Sequence, residues 1–410
     1  MVKFTEKQRE LMRMWQNGEL KRINLLEGSV SSGKTWVSLI LWAFWVASMP
    51  QDGLFLMCAK SLTTLKRNCL LLLEELVGPN NFSFSPSAKE GKLFGRHVIL
   101  EGANDIRSES KIRGVTLQGA YCDELTQFPE DFFAMLLSRL RLPGAKLIAT
   151  TNPDRPSHWL KENYIDRADK LDLLDVKFTI DDNTMLPADY VDSIKREYTG
   201  VYYERFILGL WTLAQGLIYP MYQEAMGNAP DAEPQKSMLS IDYGTQNAFA
   251  AGLWEKHGEV WYMTREYYYS GRDEGRQKTD EEYAQDLDRV FSDVNPGKTL
   301  TVIIDPSAAS FIALLRKRNH RYKVLKADND VANGIRETAT AMKTGKIKIS
   351  PDCVNWKKEV QGYVWDEKSG EDKPVKENDH MMDACRYFVK TMRVAKVKGK
   401  YIPLHERHGW

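Results

Sequence analysis

Within EGSVSSGKTW, residues 27–36, two glycines stand five positions apart and are followed by a lysine and a threonine. Gly28 and Gly33 permit the backbone bends that turn successive N–H groups inward. Ser29, Ser31 and Ser32 keep the loop small and add hydroxyls. Lys34 is long enough to reach the β- and γ-phosphates of ATP, and Thr35 offers a hydroxyl to Mg2+. The apolar INLL before the loop and the apolar run after it supply a strand–loop–helix context, in which the helix N-terminus favours an anion. A second carboxylate-bearing strand end should complete such a site. GAYCDE supplies it about ninety residues further on, with Asp123 to hold Mg2+ through water and Glu124 to polarise the attacking water. Thr150, Thr151 and Asn152 close the next strand, KLIATTNP, where polar groups can sense the γ-phosphate; an ordinary strand cap is the alternative. Gln8 can pair with an adenine edge, with Phe4 near the base, or can lie on a solvated helix. Arg139 and Arg141 can bring positive charge to a phosphoryl transition state, in their own subunit or a neighbour's, or can make surface salt bridges.

A second set of acids is spread along the C-terminal part. Asp242 ends the strand LSIDYG, Asp305 ends VIIDPS, and Asp383 lies in the helix NDHMMDACRYFVKTMR. His380 precedes Asp383 by three residues and so shares its helix face. Asp379 can assist or can be the N-cap of that helix. The order hairpin strands, helix, strand, final helix resembles a ribonuclease-H-like fold. There, acids from two strand ends and one helix meet around two Mg2+ or Mn2+ ions about 3.5–4 Å apart. Asp242, Asp305 and Asp383 are the expected metal ligands here, joined at the other site by Thr35 and Asp123.

Elements that could position these groups are legible. Strands are expected at 23–26, 53–60, 97–103, 115–124 and 146–153, alternating with helices from Lys34, at 64–78 and at 131–141. That alternation predicts an α/β fold with a mostly parallel sheet covered on both faces. Residues 237–395 predict three hairpin-linked strands, a helix at 279–292, a strand at 299–307 and then helices. The predicted division is a phosphate-loop domain at 1–210, a linker at 211–236, a second domain at 237–395 and a mobile tail at 396–410. At 410 residues the chain has room for two domains. The net charge of +1 excludes a histone-like binder but not an enzyme with a basic channel. Five cysteines without a CxxC pair predict neither a zinc site nor a disulfide framework. The N-terminus has no signal-peptide core, and the longest apolar run, Trp36 to Met49, is too short to span a bilayer.

The motifs GSVSSGKT, KIRGVTLQGAYCDE, IATTNP, YTGVYYERFILGLW, SIDYG, IIDPS and DHMMDACRY, in this order, resemble the large terminase subunit of tailed bacteriophages. The branch is the one whose compact nuclease ends in an H-x-x-D-A-x-R-Y helix, and the resemblance runs over almost the whole chain. It implies a P-loop ATPase followed by a ribonuclease-H-like nuclease. It further implies ATP-driven pumping of double-stranded DNA into the procapsid, with cutting of the concatemer at each round. The implied partners are the DNA, the portal protein and the small terminase subunit. The implied assembly is a pentameric ring on the procapsid, with a monomer in solution left open. The implied location is the host bacterial cytoplasm and the procapsid, not the mature virion. The first residues of the phosphate loop lack the arginine that some terminases carry there, which turns attention to Arg139. A helicase-nuclease of repair or defence and an inert prophage relic are the competing readings.

Overall fold

The computed structural model describes residues 3–395 apart from 105, 245, 246 and 370; the expected tail at 396–410 lies outside the described residues. Two compact units divide these residues. The first comprises the chain up to Val191 together with Val201–Leu213; the second comprises Asp192–Gly200 and the chain from Ala214 onward.

The first unit is built on an eight-stranded sheet. Its strands are β1 (Ile23–Gly28), β2 (Leu54–Ala59), β3 (Phe82–Ser85), β4 (Glu90–Leu93), β5 (Arg96–Gly102), β6 (Gly119–Cys122), β7 (Lys146–Thr151) and β8 (Leu173–Phe178). Their order is β3-β4-β5-β2-β6-β7-β1-β8. From β5 to β8 every neighbour is parallel, and β3 and β4 add an antiparallel edge. Successive residues of β2 serve opposite faces, as a strand's period of two requires. Phe55, Met57 and Ala59 join the core beneath helices Glu6–Gln16 and Lys34–Ser48, while Leu56 and Cys58 join the core beneath helix Glu130–Arg139. Both faces are therefore covered, and the strands read as continuous apolar runs.

The expected strand at 115–124 is shorter than its apolar pattern. Leu117 N–H donates to Arg139 O and Gln118 N–H to Leu54 O, so pairing as a named strand starts only at Gly119. β3, β4 and β8 were not among the expected strands. The expected helix at 64–78 is a run of three pieces, Leu62–Leu65, Lys66–Leu70 and Leu71–Val77, of which the middle one is π-helical.

The second unit carries a six-stranded sheet in the order β13-β12-β9-β10-β11-β14. The strands are β9 (Lys236–Asp242), β10 (Ala248–His257), β11 (Val260–Ser270), β12 (Leu300–Ile304), β13 (Tyr322–Lys326) and β14 (Ile347–Ile349). β9, β10 and β11 form the expected antiparallel meander, and β12 lies parallel to β9. β13 and β14 fall where only helices were expected. Helix His380–Met392 packs on one face, with the Phe388 ring stacked on Trp254 at 4.1 Å between centroids. Of the expected linker, Ala214, Ile218, Tyr219, Met221 and Ala225 are buried, and Ile218 N–H donates to Tyr363 O. These residues pack as part of the second unit.

Gly119 is packed tightly in the first core: a Cβ there would lie 2.3 Å from the Trp45 ring. Gly119→Ala should therefore destabilise the chain by about 1–3 kcal/mol through overpacking. Denaturant unfolding measures this, and an unchanged midpoint would mean that Trp45 has room to move.

Candidate active sites

The phosphate-loop residues converge as their spacing predicts. β1 is buried along its whole length and delivers Gly28 beside β8. Gly28 has a φ of 133°, and a Cβ would stand 1.7 Å from Phe178 O, so no other residue fits. Ser29 N–H donates to Phe178 O and Val30 N–H to Phe206 O. Ser31 adopts the left-handed region, accepts at its carbonyl from Asn183 Nδ2 and shares a hydrogen bond with the Tyr190 hydroxyl. Gly33, also left-handed, stands at the N-cap of Lys34–Ser48 without a side-chain cap. The hydroxyls of Ser29 and Ser32 are buried, and among the described residues neither has a hydrogen-bond partner. Orphaned donors in a loop before an uncapped helix N-terminus fit a polyanion.

Lys34 Nζ is buried and donates to Ser29 O at 2.8 Å and to Asn152 Oδ1 at 2.6 Å. Burial pushes its pKa down to about 8, against the pull of Asp123, Glu124 and Glu27. Thr35 is half-buried at the second position of the helix.

Asp123 is buried, and both its oxygens are held: Thr150 Oγ1 donates to one at 2.8 Å and Asn68 Nδ2 to the other at 3.0 Å. Glu124 takes a left-handed conformation, φ 56° and ψ 57°, a strained backbone that commonly marks a functional turn. Its N–H donates to Thr150 Oγ1, and its carboxylate accepts from Gln127 Nε2. Burial and then the neighbouring Asp123 raise its pKa, while Lys34 opposes the rise. Thr151 Oγ1 takes the N–H of Thr126, and Asn152 O takes the Thr126 hydroxyl. Thr150, Thr151 and Asn152 thus fasten the end of β7 to all three of Lys34, Asp123 and the Glu124 turn.

The softer expectations fare differently. Gln8 is buried against the loop, its Nε2 3.5 Å from Gly33 O, and its Oε1 accepts from Thr5 N–H in a capping box. Phe4 packs edge-on against Trp36. Arg139 ends its helix with Nε on Ser138 Oγ, and Arg141 Nε reaches Ser138 O. Among the described residues no hydrogen bond or ion pair joins either arginine to the phosphate loop.

In the second unit Ile241 of β9 stands opposite Ile304 of β12, so the next residues, Asp242 and Asp305, end neighbouring parallel strands. His380 Nδ1 lies 2.9 Å from Asp242 Oδ2. Burial disfavours the His380 cation, yet Asp242 outweighs it and the histidine pKa is raised. Burial raises Asp242, and the His380 hydrogen bond partly offsets this. Burial also works against the Asp305 carboxylate, but bonds from Ser307, Asn329 and Tyr387 bring its pKa down. Asp383 is buried in the first turn of helix His380–Met392, with Arg386 Nη2 at 2.9 Å and Lys376 Nζ at 3.6 Å. Asp379 sits at the N-cap position but makes no side-chain cap; Lys376 holds it at 3.2 Å.

One phenol relates the three acids: after burial, Asp242, Asp383 and Asp305 all push the Tyr387 pKa up. Among the described residues no group of three His, Cys, Asp or Glu side chains is close enough to hold one ion. The donor chemistry is nonetheless that of a hard divalent cation, with carboxylate oxygens from two strand ends and one helix. Sequence reasoning missed Asn68, Lys376 and Glu359, whose Oε2 accepts from Met381 N–H at 2.6 Å and so anchors the final helix. Each acts on a partner distant in sequence or through a loop without periodic pattern.

A family model described as terminase large subunit, T4likevirus-type, N-terminal, matches residues 25–226, and one described as terminase RNaseH-like domain matches residues 239–391. The large terminase of the thermophilic bacteriophage D6E is 39% identical, with a TM-score of 0.88 over 95% of this chain and 99% of that one. The chain belongs to the large terminase subunits of tailed bacteriophages. Two further D6E terminase structures match at 39% identity. The one in complex with ADP has a TM-score of 0.85, covering 95% of this chain and all of that one (100%). The one in complex with ATP-gamma-S has a TM-score of 0.84, covering 94% of this chain and 98% of that one. No curated protein matches. The two matched terminase domains follow the expected order, an N-terminal ATPase fold and a ribonuclease-H-like fold, and they set aside the helicase-nuclease reading. Among the described residues no helix is long and apolar enough to cross a membrane.

The His380–Asp242 pair makes stability depend on pH. A raised folded pKa means that the contribution is fully present below the unfolded value of 6.5 and fades as pH rises through the folded value. The unfolding free energy of the terminase should therefore lose this contribution across that window, and His380→Gln should flatten the loss. Parallel profiles for the two proteins would assign the pH dependence elsewhere.

Proposed function

We propose that this terminase hydrolyses ATP at the phosphate loop to drive double-stranded DNA through the portal into the procapsid, and cuts concatemeric DNA at the acids of its second unit. The observation that carries the motor reading is the Lys34–Asn152 contact, which ties the phosphate-reaching lysine to the end of β7. The ADP and ATP-gamma-S complexes of the D6E relative support nucleotide as the ligand.

In this reading Gly28 to Gly33 wrap the phosphates with backbone N–H groups, and Lys34 leaves Asn152 for the β- and γ-oxygens. Glu124 takes the proton of the attacking water, for which a raised pKa is an advantage near neutral pH. Thr35 and Asp123 would hold Mg2+, which when bound neutralises charge on the transferring phosphoryl group. Thr150, Thr151 and Asn152 register the loss of the γ-phosphate through Asp123, the Glu124 turn and Lys34, and so begin the conformational step. Gln8 borders the nucleotide from the loop side. Arg139 serves as the transition-state cation from a neighbouring subunit of a ring.

In the second unit Asp242, Asp305 and Asp383 would hold Mg2+ or Mn2+, whose charge when bound activates water and stabilises the phosphodiester transition state. His380 orients Asp242, and Arg386 orients Asp383. The reading carries the expected partners, portal protein and small terminase subunit, and action in the host cytoplasm at the procapsid.

Lys34→Ala and Glu124→Gln should each lower the kcat of ATP hydrolysis by about a hundredfold or more while leaving plasmid cleavage in Mn2+ intact. Asp305→Ala should do the reverse. Hydrolysis that survives Glu124→Gln, or cleavage that survives Asp305→Ala, would contradict the assignment. The kcat of ATP hydrolysis should also fall as pH drops through the raised Glu124 value, which lies above the ordinary 4.5. A flat acid limb down to that ordinary value would remove Glu124 as the base.

A further inference from the structure

We propose that Asn68, presented by the π-helical turn Lys66–Leu70, is a positioning residue of the ATPase site that fixes Asp123 for the metal of the nucleotide. The inference rests on the reading that Asp123 serves that metal.

A π-helical turn is rare and frequent at functional sites. Lys66–Leu70 reads KRNCL, with no proline or glycine to force the irregularity. Its effect is specific. The turn buries Cys69 while leaving half-buried Asn68 directed at Asp123, 55 positions away in the chain. Asp123 Oδ2 accepts from Asn68 Nδ2 at 3.0 Å, and Oδ1 accepts from Thr150 Oγ1 at 2.8 Å. The two donors come from different elements, the π-turn and β7, and together they stop the carboxylate from rotating. Thr150 reports on the phosphate side; Asn68 supplies a fixed reference on the other.

Arg67 completes the arrangement. Its Nε donates to Asn68 Oδ1 at 3.2 Å. A guanidinium N–H can only donate, so it selects the amide orientation in which oxygen faces Arg67 and the NH2 faces Asp123. The same arginine lies where its charge favours the ionised form of Glu124. A hydrogen-bonded chain Arg67–Asn68–Asp123 therefore runs from an exposed cation to the buried carboxylate. Partners that orient a metal ligand are worth about ten- to a hundredfold in metal affinity.

The test is calorimetric binding of ATP-gamma-S to the full chain, in Mg2+ and in EDTA. For Asn68→Ala the affinity in Mg2+ should fall about tenfold or more, while the affinity in EDTA stays at the wild-type value. Asn68→Leu keeps the branched outline of the side chain without the amide's hydrogen bonds and should behave alike if the alanine variant folds poorly. Arg67→Ala should weaken the Mg2+ arm by less, again without change in EDTA. Equal losses in both arms would mark Asn68 as a structural residue, and no loss in either would mark the contact as idle; both overturn the inference. Absence of Mg2+-dependent binding by the unaltered chain would overturn the motor reading itself, and the inference with it.

Discussion

The ammonium of Lys34 is the constraint around which the nucleotide site is arranged. A buried charge is costly unless it is paired and hydrogen-bonded. Here one bond goes to its own loop, at Ser29 O, and the other to Asn152 at the end of β7. Asp123 and Glu124 supply the compensating charge, yet burial still drives the lysine pKa down to about 8. A cation held at that disadvantage, beside orphaned serine hydroxyls and an uncapped helix, is poised to accept an anion. The β7 contacts follow from the same demand: whatever moves Lys34 must also disturb Asn152, and with it the turn that carries Glu124.

The second unit solves the converse problem. Its acids are positioned by the parallel register of β9 and β12, which ends Asp242 and Asp305 on neighbouring strands, and by a helix whose residues from Met381 to Val389 are all buried. Each acid then has its own partner: His380 on Asp242, Arg386 and Lys376 on Asp383, Ser307 and Asn329 on Asp305. Arg386 is itself buried, and it lies against Gly334, where a Cβ would come within 2.6 Å of its Cγ. The final helix is thus positioned by packing along its length and by Glu359 at its start, which suits the geometry the proposed metal site would need.

Much of this was legible in the residues. The phosphate loop could be read because the glycines answer a steric demand: at Gly28 above all, a Cβ would stand 1.7 Å from Phe178 O. Asp123, Glu124 and Asp242 could be singled out because strand ends are where α/β folds place chemistry. Asn68, Glu359 and Lys376 could not. Asn68 sits in a helix that periodicity shows as regular, and only the π-turn aims it. Glu359 caps a helix 22 positions later, a relation no local pattern encodes. β14 has three residues, too few for alternation to be recognised, while β8 did alternate and was passed over. Gln8, read as an adenine partner or a solvated helix residue, lies buried with its amide near Gly33 O, and its amide oxygen also caps its own helix, a use that a motif cannot show.

The most direct test of the Lys34-centred account is thermal unfolding of the full chain with and without ATP-gamma-S and Mg2+, for the wild type and for Lys34→Ala. A ligand that binds only the folded state raises its stability by mass action. The account predicts a clear rise in Tm for the wild type and none for Lys34→Ala at the same ligand concentration. An equal rise in both would show that the nucleotide is held without the buried lysine, and the central claim would fall.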